Sequence, residues 1–289
     1  MVLGIFYYSK SERENENFAT SRLYFEAKKR DIEVKYYNFL KFRIKKSGEI
    51  FYCGERFKVP DCVIIRSVFD FESRKIKKIF SYLEKSKKTK ILNNFEAKKN
   101  AKNKISTYNI LKKNQIDTPK TVVFRKNLNP QKLGKNLDGF PIILKDANLM
   151  KGLGMRLIKD QAELISVLKR KKRSPHIFQE FIKEANGSYM RVFVIKGQVI
   201  AHKEISSNNS DIKKFSETGE GKEIFSLSKE EKNLAILATN SLCLDYSGVD
   251  IIRSDRGPLV LEVNSNPGFK NLEKSTGKNI AGKIIESTF

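Results

Sequence analysis

Apolar runs of strand length alternate with amphipathic stretches of helix length from the first residues onward, and this order constrains the fold more than any other feature. Val2–Tyr8 reads as a strand and Asn17–Arg30 as a helix with Leu23 and Ala27 on one face. Glu33–Tyr37 and Cys62–Arg66 read as further strands, followed by a helix around Ile76–Leu83 and a strand at Lys90–Asn93. Successive strands lie parallel only if the intervening helix carries the chain back across the sheet, so the pattern predicts an α/β unit with a parallel sheet and crossover helices. The stretch Ile44–Lys58, with Gly48 and Gly54, reads as a hairpin inserted in that unit.

Polar, Lys-rich Asn93–Asn103 reads as a domain boundary. After it come a helix at Lys104–Asn114, a strand at Thr121–Phe124 introduced by Thr118-Pro119, a turn at Asp138-Gly139-Phe140-Pro141 and a strand at Pro141–Lys145. A Gly-containing loop runs to Gly154, a helix covers about Asp160–Lys172, and Ile177–Ile182 reads as a buried strand. Tyr189–Ile195 and Gln198–Glu204 form a hairpin around Lys196-Gly197. Ser228 with Glu231 three residues on is a capping box, and Leu234, Leu237, Ala238 and Leu242 give the helix Ser228–Leu242 its apolar stripe. There is no internal repeat and no low-complexity segment.

Composition narrows the class. The 289 residues are 39% hydrophobic and 31% charged, too apolar for disorder and enough for a sizeable core. No run approaches the roughly 18 apolar residues that span a bilayer, and the first residues carry no basic n-region or cleavage site, so a soluble cytoplasmic protein is expected. Cys53, Cys62 and Cys243 lack metal-ligand spacing, and an odd count argues against a disulfide framework. With only His176 and His202, a His-rich metal site or a Ser–His triad is not expected. Lys and Arg number 57 against 33 Asp and Glu, a formal charge of +24. That excess can attract nucleic acid, an anionic surface or an acidic substrate, or it reflects a bias toward Lys and Asn throughout the chain. The dense block Lys169-Arg170-Lys171-Lys172-Arg173 follows Leu164, Ile165 and Leu168, so it most simply ends a helix, with a polyanion contact as the other reading.

The segment from Gly248 to Gly268 carries the chemistry. It reads as two strands around the turn Asp255-Arg256-Gly257; if that turn has three residues, Ser254 pairs with Pro258 and Asp250 lies across from Glu262, with Asn264 two further along the same face. A two-residue turn would shift the partner by one. Opposed carboxylates repel unless a positive group sits between them, and an Asp, Glu and Asn oxygen set suits Mg²⁺ held with substrate phosphates. The plainer alternative is a hairpin whose polar face meets water.

This run, with Glu273-Lys274-Ser275-Thr276-Gly277 and Asn279-Ile280-Ala281 after it, resembles the C-terminal signature of ATP-grasp ligases of the RimK type. The likeness extends back through Gln179–Ala185 and Pro141–Lys145 to Ala101–Lys104 and Ile116–Pro119, covering most of residues 90–285 in order. It implies an α/β, ATP-grasp fold with an N-terminal Rossmann-like, pre-ATP-grasp parallel-sheet domain at 1–93, a central lobe at 94–184 and a C-terminal lobe with the metal hairpin at 185–289. It further implies an ATP- and Mg²⁺-dependent ligase, with Mn²⁺ as an alternative ion, that joins glutamate or another amino acid to a carboxylate through an acyl-phosphate.

By the same resemblance Asp250, Glu262 and Asn264 are metal ligands, and Lys104 and Lys145 contact the nucleotide phosphates. Glu180, Phe181 and Ile182 are similar to the hinge strand that holds adenine through its backbone. Gly152 and Gly154, in Lys151-Gly152-Leu153-Gly154, fall at the phosphate-covering loop, and Arg191 matches an arginine of the reaction centre. Two positions depart from the family pattern. Tyr189 stands where an Asp is usual, and Asp211-Ile212-Lys213-Lys214-Phe215 stands for Asp-x-Arg-x-Asn, so Lys213 keeps the catalytic charge without the fork of Arg. The implied partners are ATP, a glutamate-like amino acid and a carboxylate acceptor, either a protein C-terminus or a small acid. No membrane partner is expected, nucleic acid is the less favoured one, and a homo-oligomer is left open. The rival reading is an ATP-grasp scaffold that has lost catalysis and binds RNA, a ribosome or an acidic polypeptide through its basic surface.

Overall fold

The computed structural model describes residues 1–9, 17–66, 70–124, 128–149, 153–170, 175–206 and 226–288. The chain opens with β1 (Val2–Tyr7), α1 (Phe18–Lys28) and β2 (Glu33–Asn38), then β3 (Phe42–Ile44), β4 (Ile50–Tyr52), β5 (Glu55–Arg56), β6 (Cys62–Ile65), α2 (Arg74–Lys85) and β7 (Lys90–Leu92). The expected parallel sheet has the order β2-β1-β6-β7, every pairing parallel. The inserted hairpin is a small three-stranded sheet, β3-β4-β5. Strand β1 is apolar on both sides because both faces are covered: Phe6 joins an aromatic cluster with Phe39, Phe42, Phe57 and Phe80, while Leu3 and Ile5 face the opposite way.

The polar stretch expected as a boundary is a helix, α3 (Phe95–Lys102), running directly into α4 (Lys104–Lys113). Two of its asparagines are caps: Asn94 accepts from the Ala97 N–H, and Asn103 accepts from the Ile105 and Ser106 N–H groups. Asn93 is fully buried at φ 60°, a conformation Asn tolerates better than most residues. Its amide donates to the carbonyls of Tyr246 and Ser265 and accepts from the Asp245 and Tyr246 N–H groups, so it sews the end of the parallel sheet to the C-terminal part of the chain.

The middle of the chain adds β8 (Thr121–Val123), α5 (Pro130–Asn136), β9 (Ile142–Asp146), β10 (Arg156–Ile158), α6 (Gln161–Arg170) and β11 (His176–Glu180). These strands form an antiparallel sheet, β10-β9-β11-β8, whose core of Leu133, Leu144, Leu164 and Phe178 is separate from the others. The remaining elements are β12 (Ser188–Ile195), β13 (Gln198–Ser206), α7 (Lys229–Ser241), β14 (Tyr246–Ser254), β15 (Gly257–Asn264), α8 (Lys270–Thr276) and α9 (Ile280–Glu286). The capping box at Ser228 and Glu231 is formed as expected.

The last sheet, β13-β12-β14-β15, is antiparallel and has two apolar contacts. Met190, Val192, Val249, Ile251 and Val263 pack under α7 with Ala235 and Ala238. On the other face Phe193, Ile195, Ala201 and Tyr246 share one core with Leu3, Ile5, Cys62 and Ile64 of the parallel sheet. Each of the Leu, Ile and Phe side chains contributes about 1.5–3 kcal/mol on burial, so this shared core fixes the parallel sheet against the sheet that carries the polar hairpin. Among the described residues no helix is long and apolar enough to cross a membrane.

Candidate active site

The β14–β15 hairpin opposes Asp250 and Glu262 by a different route from the expected one. Its turn has two residues, not three: Ser254 pairs with Gly257 and Arg253 with Pro258, and this register runs to Ile251 and Val260. Left alone, it would have shifted the partner of Asp250 by one. A bulge at Leu261 inserts the missing residue, after which Asp250 pairs with Glu262 and Gly248 with Asn264. The short turn requires the left-handed Gly257, at φ 101°.

Beside the hairpin, β12 sets Arg191 in register with Asp250, so Arg191, Asp250 and Glu262 form one row across three strands. The Arg191 Nε donates to Asp250 Oδ1 and its second terminal nitrogen to Oδ2, each at 2.7 Å. Asp250 is buried. Burial pushes its carboxyl above the usual range while the Arg191 guanidinium pulls it back, and the Asp250 charge in turn raises Arg191 further. The Tyr189 ring lies 5.8 Å from the guanidinium carbon, so the residue found where the family has an Asp flanks Arg191.

A pocket between α4, the central sheet and β15 brings together Lys104, Lys145, Gln179 and Glu262, with Thr107 and Tyr108 on its helical wall and the bulged Leu261 on its floor. Lys145 is half-buried and its ammonium donates to Gln179 Oε1 at 2.6 Å. Burial lowers Lys145 to about 8; Glu262 and Asp250 raise it and Lys104 lowers it further, so these four charges act on one another. Lys104 starts α4, and its ammonium donates to the Leu149 carbonyl. Such a cluster of two cations and two carboxylates around a cleft is suited to hold polyphosphate and its counter-ion.

The other expected residues lie around this pocket. Asn264 ends β15, and its side-chain oxygen accepts from the Asn266 N–H at 2.8 Å, leaving a second lone pair. The strand expected at Ile177–Ile182 stops at Glu180, so Phe181 and Ile182 follow it in irregular backbone, with Ile182 packed on Leu259 and Ala185. The Glu180 carboxylate accepts from the Lys120 N–H at 2.7 Å and from both terminal nitrogens of Arg256, in the hairpin turn. Gly154 has φ 73°, and a Cβ there would lie 3.0 Å from Leu149. Gly152 and Lys213 lie outside the described residues, as do Lys151, Asp211 and Phe215.

Two residues of this neighbourhood, Gln179 and Arg256, carry no functional signal in the sequence by themselves. Gln179 lies two residues along β11 from Ile177, the partner of Lys145, and so shares that face; once the pairing of β9 and β11 is known, parity alone points to it. Nothing local in the sequence marks Arg256 as the partner of a strand 76 residues away.

Two carboxylates and an amide oxygen on one hairpin face are hard donors, and among the described residues no cluster of three or more His, Cys, Asp or Glu competes with them. An incomplete all-oxygen set fits Mg²⁺, which keeps waters and completes its shell with substrate phosphates.

Residues 101–288 match the model of the RimK-like ATP-grasp domain. A probable alpha-L-glutamate ligase from Cellvibrio japonicus (strain Ueda107) is 33% identical over 281 residues, 94% of this chain and 92% of that protein. A second protein of that name, from Parasynechococcus marenigrum (strain WH8102), is 37% identical over 198 residues, which are 68% of this chain and 42% of the longer relative. Among solved structures the ATP-grasp ligase PsnB, complexed with a minimal precursor, superposes with a TM-score of 0.76 at 20% identity, covering 99% of this chain and 97% of that one. The same ligase with minimal precursor, Mg and ADP gives a TM-score of 0.72 at 20% identity, again over 99% and 97% of the two chains. With the fold shared along nearly its whole length and the family's domain matched over about two thirds of it, the chain belongs to the RimK-like ATP-grasp family.

Proposed function

We propose that this ATP-grasp ligase uses Mg-ATP to convert an acceptor carboxylate to an acyl-phosphate and then joins it to the amine of glutamate or a similar amino acid. Its class, an ATP-dependent carboxylate–amine ligase, follows from the family and from relatives of that kind across nearly the whole chain. The observation that carries the reading at residue level is the Arg191–Asp250–Glu262 row beside the pocket of Lys104 and Lys145.

Bound Mg²⁺ would neutralise phosphate charge and help align the γ-phosphate with the attacking carboxylate oxygen. In our reading Asp250, Glu262 and Asn264 hold it, Lys104 and Lys145 hold the phosphates, and the backbone at Glu180, Phe181 and Ile182 lies along the adenine. The carboxylate oxygen bonds to the γ-phosphorus as ADP departs; the amine then bonds to the acyl carbon, loses a proton, and phosphate leaves. Arg191, fixed by Asp250, faces the developing negative charge on the oxygens in both steps. Lys213 and the glycines 152 and 154 keep the roles implied by the resemblance, as do the three lobes at 1–93, 94–184 and 185–289.

The net charge of +24 supports an acidic acceptor, a protein C-terminus or a small acid, and a cytoplasmic site of action fits three cysteines that are all free. Mn²⁺ can replace Mg²⁺ on the same oxygen donors. A catalytically silent basic module would have no use for opposed carboxylates braced by Arg191. The test is ADP release with Mg²⁺, ATP, glutamate and candidate carboxylates, together with mass spectrometry of extract proteins and metabolites for added amino-acid mass. Glu262→Ala should remove ADP release and mass addition while the circular dichroism stays native. Near-normal turnover in that variant would take the hairpin out of the mechanism.

A further inference from the structure

A second cationic site lies where the parallel sheet meets the end of the hairpin, outside the pocket described above. Arg66 continues β6 by donating its backbone N–H to the Phe6 carbonyl, so it stands at the C-terminal edge of a parallel sheet, the edge at which such sheets bind ligands. One terminal nitrogen of its guanidinium donates to the Pro267 carbonyl at 3.1 Å, and its carbon lies 5.7 Å from the Phe269 ring centre. The Nε and the other terminal nitrogen are sealed from water and have no hydrogen-bond partner. The Asn266 Oδ1 is sealed and unpartnered in the same way, and the Tyr246 hydroxyl is sealed beside the Arg66 guanidinium.

Lys98 adds a second buried cation, its ammonium donating to the carbonyls of Ile65 and Ser265. Burial, with Arg66 adding to it, lowers Lys98 to about 7. Among the described residues no carboxylate pairs with either cation. Native proteins rarely leave buried donors empty, and an unpaired buried charge is costly, so the free protein here carries a cost that an anion removes. The unfilled donors belong to a guanidinium and a phenol, which suit a planar carboxylate, and the unfilled acceptor on Asn266 suits an ammonium or amide N–H beside it. Asn266 is also the residue whose N–H holds the proposed metal ligand Asn264, so a group seated here adjoins the reaction centre.

We propose that Arg66, Lys98, Tyr246 and Asn266 form a carboxylate subsite for the amino-acid or peptide substrate. This rests on the ligase reading above. The unpaired atoms are closed from solvent, so entry requires the Ser265–Phe269 segment to part from the end of β6.

The experiment titrates the full chain, holding Mg²⁺ and a non-hydrolysable ATP analogue, with L-glutamate and separately with the tripeptide Glu-Glu-Glu; Mg-ADP binding is measured alongside. Arg66→Gln should weaken at least one probe by tenfold or more, and Arg66→Lys by less. Tyr246→Phe removes only the hydroxyl beside Arg66 and keeps the buried ring, so it should still fold while weakening the same probe about threefold or more; this variant decides the matter if Arg66→Gln does not fold. An effect on L-glutamate assigns the subsite to the incoming amino acid, and an effect on the tripeptide alone assigns it to the acceptor tail. The proposal is overturned if the variants bind both probes as the parent does, or if neither probe binds a parent that binds Mg-ADP. Failure of the parent to bind Mg-ADP would instead remove the ligase reading.

Discussion

The guanidinium of Arg191 holds both carboxylate oxygens of Asp250 at 2.7 Å, across neighbouring strands and in exact register, in a site where Asp250 is buried. The pair ties one proposed metal ligand to the one arginine proposed to face the reacting oxygens. Neither can be moved without the other.

Arg191→Met should therefore destabilise the protein by about 3–5 kcal/mol, the usual result of stranding a buried charge. The double variant Arg191→Met, Asp250→Leu should recover most of that loss in a denaturant titration, because both charges are gone and the volume is retained. Activity should stay absent. A double variant no more stable than Arg191→Met would mean that the pair is held for reasons other than mutual neutralisation.

Lys145 gives a pH signature. Its ammonium titrates near 8 in the free protein because burial disfavours the charge. Phosphates favour the charged form, so above pH 8 nucleotide binding must draw in a proton, and affinity should fall by up to about tenfold per pH unit until the pKa of the bound state is passed. Below pH 8 the group is already charged and affinity should level off. Calorimetry at pH 9 in two buffers of different ionisation enthalpy measures the uptake, and Lys145→Met should abolish it. Equal heats in the two buffers for the parent would place Lys145 away from the phosphates.

Arg256 links the central sheet to the hairpin turn through the buried Glu180. Arg256 is 47% exposed, so the pair is partly screened and Arg256→Ala should cost only about 1 kcal/mol in stability. The functional effect should be larger than the stability loss: a rise in KM for ATP with kcat little changed, since the strand leading to Phe181 loses one of its anchors. Unchanged KM would show that the Lys120 N–H bond to Glu180 is sufficient by itself.

Most strands were legible as short apolar runs, β1 and β6 apolar throughout, though β10 was not, and the polar positions of the hairpin were legible because Asp250, Glu262 and Asn264 interrupt such runs. The turn was not: a three-residue turn, and a two-residue turn followed by a bulge, place Asp250 opposite Glu262 equally well, so the pairing was right and its cause was wrong. Helix α3 escaped notice because its buried positions include Lys98 and it is rich in Lys and Asn, so no apolar stripe shows. Helix α5 is seven residues long, too short for periodicity, and only Asn129-Pro130 announces it. The site's linking contacts, Arg191 to Asp250 and Glu180 to Arg256, span 59 and 76 residues of sequence; strand order decides them, and no local pattern encodes strand order.

The close approach of Pro267 to Gly248 supplies the last prediction. Gly248 pairs with Asn264 on the hairpin, and a Cβ at position 248 would lie 2.8 Å from the Pro267 Cβ, nearer than carbon atoms tolerate. Proline cannot swing aside as a long flexible chain would, so the added methyl must push the loop after Asn264 away from the sheet. Gly248→Ala should then cost about 1–3 kcal/mol, the usual penalty of overpacking. It should also loosen Asn264, because the N–H of Asn266 that orients its side chain sits in the displaced loop. The expected readout is a lowered melting temperature with a weaker dependence of ADP release on Mg²⁺ concentration. Because the clash is with the Pro267 Cβ, Pro267→Ala should leave it in place, whereas Pro267→Gly should relieve it and restore part of the Mg²⁺ response in the double variant. If Gly248→Ala melts and responds to Mg²⁺ as the parent does, the glycine is not what lets this loop seat the end of β15.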